Sequence, residues 1–128
     1  NDCLPANILF DGKRLWLIDW ESAYPNDPLV DVAIQLDNLA RSSELAAVLM
    51  RAWLGRTPDD AIQHRLEQAR ALNRLYYAGV LLSASATRPR AAPDDSLAIA
   101  EGEPMTGHRR GKLYLRGFLT GEAVPAMA

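Results

Sequence analysis

The sequence has 128 residues, 48% of them hydrophobic and 23% charged, which is the ordinary composition of a single globular domain. Its net charge of -2 at neutral pH is too balanced to favour nucleic acid or an anionic membrane surface as a partner. One cysteine, Cys3, excludes an internal disulfide, and no apolar run approaches the roughly 20 residues of a membrane-spanning helix, so we expect a cytoplasmic protein.

The first predicted element is a β-hairpin over about residues 7–19. Two apolar runs, NILF and LWLI, flank the sequence DGKR. Asp-Gly between apolar runs favours a tight reversing turn, because glycine readily adopts the positive φ that such a turn requires.

Two helices are predicted after the hairpin. In YPNDP, Asp27 can cap a helix and Pro28 suits its first turn, and apolar residues then recur at helical spacing over residues 29–40. A second helix is predicted over about residues 43–54, with Gly55 as the residue that ends it.

A third, long helix is predicted to begin at the sequence TPDD, residues 57–60, and to run to about residue 86. Its start combines a capping hydroxyl at Thr57, a proline in the first turn and two acidic residues at the positive end of the helix dipole. Its apolar stripe consists of Ile62, Leu66, Ala69, Leu72, Leu75, Tyr76, Val80 and Leu82.

A hairpin followed by helices predicts an α+β protein that is mostly helical, with the hairpin preceding a helical bundle. The stretch PRAAPDD predicts a linker after about residue 88. Residues 89–128 are interpreted as this linker and a C-terminal segment to which the sequence assigns no element.

Three polar residues at the ends of the hairpin suggest a metal site. Because a hairpin brings its two ends together, we expect Asp19 to lie near the loop that holds Asp2 and Asn7. Carboxylate and amide oxygens are the hard ligands that Mg²⁺ prefers, and a carboxylate left off the metal can deprotonate a hydroxyl group. Such residues could serve metal-assisted phosphoryl transfer. The spacing alone is also compatible with residues that only cap loops and turns.

The sequence around these residues resembles a known phosphotransferase motif. DCLPANILF, a glycine turn and LWLIDWE match the pattern H-x-D-x₄-N-hydrophobic, hairpin, hydrophobic-I-D-[FW]-E, from its aspartate onwards. This pattern belongs to the aminoglycoside phosphotransferase (protein-kinase-like) superfamily, and the following NDPLVDVA is most similar to the choline/ethanolamine kinase family, particularly its bacterial members. The specific match covers residues 1–31, and it implies that residues 1–88 resemble the C-terminal catalytic lobe of the protein-kinase-like fold.

The resemblance implies roles for three residues in the transfer of the γ-phosphoryl group of ATP to a small-molecule alcohol. Asp2 would be the catalytic base that accepts the proton of the acceptor hydroxyl. Asn7 would ligate one Mg²⁺, and Asp19 would bind the Mg²⁺ that bridges the β- and γ-phosphates.

The resemblance also assigns supporting residues. Glu21 and Tyr24 would position the substrate or hold water beside the metal. Asp31, near the start of the following helix, would brace the catalytic loop. Trp20 stands at the Phe/Trp position of the motif and is expected in the core.

The acceptor stays open between alternatives. Ser22 stands where many choline-kinase-like sequences carry an aromatic residue, and quaternary ammonium groups are held by aromatic faces. The first alternative is choline or ethanolamine, and the second is an aminoglycoside or another small hydroxylated metabolite. A third is a non-catalytic chain that only folds or oligomerises.

Enzymes of this superfamily also have an N-terminal nucleotide-binding lobe, and none of its motifs occurs in the 128 residues. We therefore expect the chain alone to bind ATP and Mg²⁺ weakly and to show little or no activity. Without that lobe, apolar surface around the hairpin would be exposed, so we also expect a homodimer through this face.

Overall fold

The computed structural model describes residues 2–40, 42–87, 97, 105–122 and 124. The strands and helices in chain order are β1 (Ile8–Phe10), β2 (Leu15–Leu17), α1 (Leu29–Leu39), α2 (Ser43–Leu54), α3 (Asp60–Ala86) and α4 (Gly107–Thr120). This order confirms the predicted fold class, α+β and mostly helical, with the hairpin first. Over the described ranges, no helix is both long and apolar enough to cross a bilayer.

The internal contacts divide the chain into two units, Asn1–Arg70 together with Pro125–Ala128, and Ala71–Val124. The division falls within α3. The boundary predicted at about residue 88 lies outside the described residues and stays a prediction.

The hairpin is a two-stranded antiparallel sheet in the first unit. Its register places Phe10 opposite Leu15 and Leu9 opposite Trp16. Residues directly opposite each other share a face, so these two pairs lie on opposite faces of the sheet. All four side chains are about half exposed or more, from 49% for Leu9 to 72% for Leu15.

The hairpin turn is organised by one carboxylate. Asp11 Oδ1 accepts hydrogen bonds from the backbone N–H groups of Lys13 and Arg14, both at 2.8 Å, and its Oδ2 accepts one from Trp16 Nε1 at 2.8 Å. The bond from Trp16, followed by the backbone bonds, lowers the pKa of the Asp11 carboxyl below its ordinary value. Gly12 takes a φ of +94°, as the Asp-Gly signal predicts.

The helices of the first unit enclose its hydrophobic core. α1 begins where Asp27 Oδ1 accepts a hydrogen bond from Leu29 N at 3.0 Å, and Gly55 ends α2 with a φ of +69°. Both boundaries agree with the predicted ones. The buried core residues are Leu29, Val32, Ala33, Leu36, Met50 and Leu66.

The start of α3 differs in detail from the prediction. The carboxylate of Asp59, and not the hydroxyl of Thr57, caps the helix by accepting a hydrogen bond from Ile62 N at 2.9 Å. Aspartate is as good a helix cap as threonine, so the sequence TPDD still specifies the helix start, which lies at Asp60.

The apolar stripe of α3 is covered by other elements mainly over its first half. Leu66 is buried in the first unit, whereas Leu72 and Tyr76 are each 65% exposed. Helical spacing places these residues on a stripe, but burial depends on which elements cover it.

The second unit contains the end of α3 and the helix α4, which the sequence did not predict. Thr106 Oγ1 caps α4 by accepting a hydrogen bond from Arg109 N, and the ring centroids of Tyr77 and Tyr114 are 5.4 Å apart. A Cβ added to Gly111 would lie 2.7 Å from Leu82 Cγ, so only glycine allows the two helices to approach this closely.

Candidate active site

The loop before β1 joins the first two predicted site residues directly. Asn7 Nδ2 donates one hydrogen bond to the backbone oxygen of Asp2 at 3.0 Å and another to Asp2 Oδ2 at 3.1 Å. The loop is closed further by backbone bonds from Leu4 N to Asp2 O and from Asn7 N to Leu4 O, at 2.8 and 2.9 Å. The amide group therefore orients the carboxylate of Asp2, and the amide oxygen of Asn7 takes no part in these bonds.

Asp19 lies beside this loop because the pairing of the two chain segments extends one residue past the last strand pair, Ile8 and Leu17. Ile18 N donates a hydrogen bond to Asn7 O at 3.0 Å, which holds the end of the hairpin next to the start of β1. Asp19 itself has φ 61° and ψ 62°, and among the described residues no other residue except glycine has a positive φ. This left-handed conformation costs roughly 1–2 kcal/mol for most side chains, and aspartate is one of the residues that tolerate it.

One cavity of about 290 Å³ brings most of the predicted site together. Five of the six predicted residues line it, namely Asp2, Asn7, Asp19, Tyr24 and Asp31. Glu21 is exposed in the short 3-10 helix Trp20–Ser22 and does not line the cavity, so its role stays a prediction.

The cavity is acidic. Three aspartate side chains line it, and the lining residues include no lysine, arginine or histidine. The lining therefore offers acidic and no basic side chains to a ligand.

Cys3 and Gln35, which are not among the predicted site residues, also line the cavity. Gln35 Nε2 donates a hydrogen bond to Cys3 Sγ at 3.1 Å, which ties α1 to the loop beside Asp2. Gln35 follows Asp31 by four residues, so both lie on the same face of α1. That spacing is the sequence signal that identifies Gln35 once the position of Asp31 is known.

The expectation that Trp20 packs in the core is wrong. Its side chain is 65% exposed and lines the cavity, with Nε1 donating a hydrogen bond to Leu17 O at 2.9 Å. Tyr24 lines the same cavity and is 63% exposed. Both aromatic side chains therefore present surface at the mouth of the cavity.

The donor set fits Mg²⁺ as a partly hydrated ion. Within the described part of the chain, no three His, Cys, Asp or Glu side chains are grouped closely enough to hold a metal. The residues that would hold Mg²⁺ are Asp19, through a carboxylate oxygen, and Asn7, through the amide oxygen. Mg²⁺ commonly binds one or two protein ligands and completes its shell with water and phosphate oxygens.

Comparison with known proteins covers the part of the chain that contains this cavity. The model of the phosphotransferase enzyme family matches residues 1–65, just over half of the chain. Two relatives from Haemophilus influenzae, both named protein LicA, are 39% identical over 57 residues. That stretch covers 44% of this chain but only 21% and 17% of the two relatives, so the chain spans about a fifth of their length. No solved structure matches the chain.

Proposed function

The chain belongs to the phosphotransferase enzyme family, and from this premise we propose that it carries the catalytic site of a small-molecule kinase. The proposed reaction transfers the γ-phosphoryl group of ATP to the hydroxyl group of an alcohol such as choline or ethanolamine. The observation that supports it most is the meeting of Asp2, Asn7 and Asp19 at one cavity, with Asn7 hydrogen-bonded to Asp2.

In the proposed reaction, Asp2 accepts the proton of the acceptor hydroxyl while the hydroxyl oxygen attacks the γ-phosphorus. The bond between the γ-phosphorus and the β–γ bridging oxygen breaks, and ADP leaves. The hydrogen bond from Asn7 Nδ2 holds the carboxylate of Asp2 in place before the acceptor binds. Bound Mg²⁺ would neutralise the charge that develops on the phosphate oxygens, and Asp19 and Asn7 would hold it.

Two features of the cavity support a compact cationic acceptor. The exposed rings of Trp20 and Tyr24 offer faces to a quaternary ammonium group. The cavity volume of about 290 Å³ suits a small molecule better than one with several sugar rings. These features favour choline or ethanolamine, although an aminoglycoside also carries positive charge and remains the alternative.

The test is a phosphorylation screen with ATP and Mg²⁺ on the natural gene product that contains this sequence. Choline, ethanolamine and aminoglycosides are the acceptors. We expect turnover of choline or ethanolamine, with a loss of at least about a hundredfold in Asp2→Asn, because general base catalysis contributes about 10²–10⁴-fold. The matched control is Glu67→Gln, which removes an exposed carboxylate on α3 outside the cavity and should leave the rate unchanged.

Aminoglycoside turnover without choline turnover would contradict choline as the acceptor and support an aminoglycoside instead. Absence of phosphoryl transfer to all these acceptors, or full activity in Asp2→Asn, would contradict the proposal.

A further inference from the structure

A second cavity, of about 340 Å³, opens among α1, α2 and the start of α3. Its lining residues lie between Leu36 and Arg70, within the first unit, and none of them lines the cavity around Asp19. The volume falls at the lower end of the range of about 300–1,000 Å³ that is typical of small-molecule sites. The cavity is therefore large enough for a compact ligand.

The inner wall of this cavity is apolar. Leu36, Met50 and Leu66 line it, and all three belong to the hydrophobic core with exposures of 6%, 6% and 9%. Pro58 adds apolar surface beside the start of α3. A ligand that fills the cavity would place an apolar body against this wall.

The rim carries three arginines and no acidic residue. Arg70 is held from outside the cavity by Asp37, whose Oδ1 accepts hydrogen bonds from Arg70 Nε at 2.8 Å and Nη2 at 2.6 Å. Arg56 Nη2 donates to Asp59 Oδ2 at 3.1 Å. Neither aspartate lines the cavity, and each guanidinium retains further N–H donors, since arginine has five.

Arg51 supplies a third positive charge at the rim, without an ion pair to a described carboxylate. It lies in the last turn of α2. With Arg56 and Arg70 each paired to one aspartate, the rim keeps one unbalanced positive charge beside an apolar wall.

We infer that this cavity binds a compact organic monoanion, with its carboxylate at Arg51 and its apolar body against Leu36, Met50 and Leu66. Guanidinium groups bind carboxylates through two parallel N–H···O bonds, so Arg51 and its neighbours supply the donors for this head group. The inference does not depend on the proposed phosphoryl transfer, because the two cavities share no lining residue.

The test is a titration of the 128-residue chain with 3-phenylpropionate, followed by amide chemical shifts in NMR spectra. The uncharged amide of the same acid is the ligand control. We expect saturable shifts at residues 36, 50 and 66 with the carboxylate and much weaker binding of the amide. Arg51→Gln should weaken binding by about tenfold or more, the effect of losing a charged hydrogen bond.

Two further variants keep the inference falsifiable. Arg14→Gln removes an exposed arginine at the hairpin turn and should leave the affinity unchanged. Ala47→Trp places a large side chain at an exposed rim position and should abolish binding without disturbing the core. Absence of saturable shifts, equal affinity for the amide, or equal affinity in Arg51→Gln would overturn the inference.

Discussion

The hairpin and the helical core of the first unit use similar apolar residues for different purposes. In the core, Leu29 and Val32 are 3% and 1% exposed, whereas Phe10 and Leu15 in the hairpin are 66% and 72% exposed. Burial of apolar area is the main source of folding free energy. The difference indicates that the helices supply most of the stability of this unit, while the hairpin holds the candidate site and leaves its apolar side chains exposed.

The backbone conformation follows the same division. Among the described residues, the left-handed non-glycine residue is Asp19, at the end of the hairpin and facing the cavity. Residues held in such sparsely populated conformations cluster at functional sites, because the surrounding fold bears the cost. The hairpin thus carries the candidate site and ends next to the left-handed Asp19, in a unit whose core lies in α1, α2 and the start of α3.

The largest expected effect comes from truncating matched leucines in the two regions. Leu29→Ala should lower the free energy of unfolding by about 2–5 kcal/mol, because it leaves a cavity in the core. Leu15→Ala removes the same atoms from an exposed position and should change it by less than about 0.5 kcal/mol. Urea unfolding measures both, and similar losses in the two variants would contradict the comparison.

The second prediction tests whether packing also decides stability in the second unit. Gly111→Ala should cost about 1–3 kcal/mol, because the new Cβ would lie 2.7 Å from Leu82 Cγ and 3.1 Å from Leu82 N. Gly79→Ala meets no atom within 4 Å and should stabilise α3 by about 0.5–1 kcal/mol. Thermal unfolding should therefore show shifts of opposite sign, and shifts of the same sign would count against the packing argument.

The third prediction concerns self-association through the hairpin. Both faces of the sheet are exposed, and both of its described strands are edge strands, which are prone to pair with other chains. We expect the chain to dimerise at high concentration, and Leu15→Lys to weaken dimerisation by about tenfold, or ~1.4 kcal/mol.

Analytical ultracentrifugation measures the dimerisation constant. Leu72→Lys is the control, because Leu72 is 65% exposed on α3 and outside the hairpin. A monomer at all concentrations, or equal weakening of dimerisation by both lysine substitutions, would contradict an interface at the hairpin.

The smallest expected effect is the response to acid. The backbone N–H of Leu29, and then the 2.6 Å ion pair with Arg65, lower the pKa of Asp27 below its ordinary value of 3.8. Since the folded-state pKa is the lower one, the stabilisation is complete above about pH 4 and is lost as the pH falls through the folded-state value. Asp27→Asn should flatten the decline of the unfolding free energy between about pH 4 and pH 2.

Asp11→Asn provides the comparison for this titration, since the pKa of Asp11 is also lowered but its carboxylate organises only the hairpin turn. Urea unfolding over the same pH range should show a flatter decline for Asp11→Asn as well, because both folded-state pKa values are lowered. A decline that neither substitution changes would contradict this assignment.

Much of the fold was predictable because the signals are local. Asp-Gly specifies the turn at Gly12, and the TPDD sequence specifies the start of α3 within a few residues. α4 was missed because four of its residues are Arg109, Arg110, Lys112 and Arg116, which obscure the apolar side of the helix. Its contact with α3 depends on the absence of a side chain at Gly111, a feature that no periodicity reveals.

The part of the candidate site that could be predicted is the part that the hairpin itself brings together. The hairpin brings Asp19 to the loop of Asp2 and Asn7, as its two-strand geometry requires. The exposure of Trp20 and the participation of Gln35 depend on which residues of α1 face the cavity, and neither follows from the motif. The roles assigned to these residues stay predictions until they are measured.

The central claim is that Asp19 and Asn7 hold the metal ion that accompanies ATP, beside Asp2. Its most direct measurement is paramagnetic broadening of NMR signals by Mn²⁺, used with ATP in place of Mg²⁺. The claim predicts broadening at residues 2–7 and 17–23 of the chain, and loss of this broadening in Asp19→Asn. Asparagine also tolerates the left-handed conformation, so this variant removes the carboxylate charge and should leave the unfolding free energy within about 0.5 kcal/mol. Broadening that persists in Asp19→Asn, or that centres on other acidic residues such as Asp59 and Asp60, would contradict the claim.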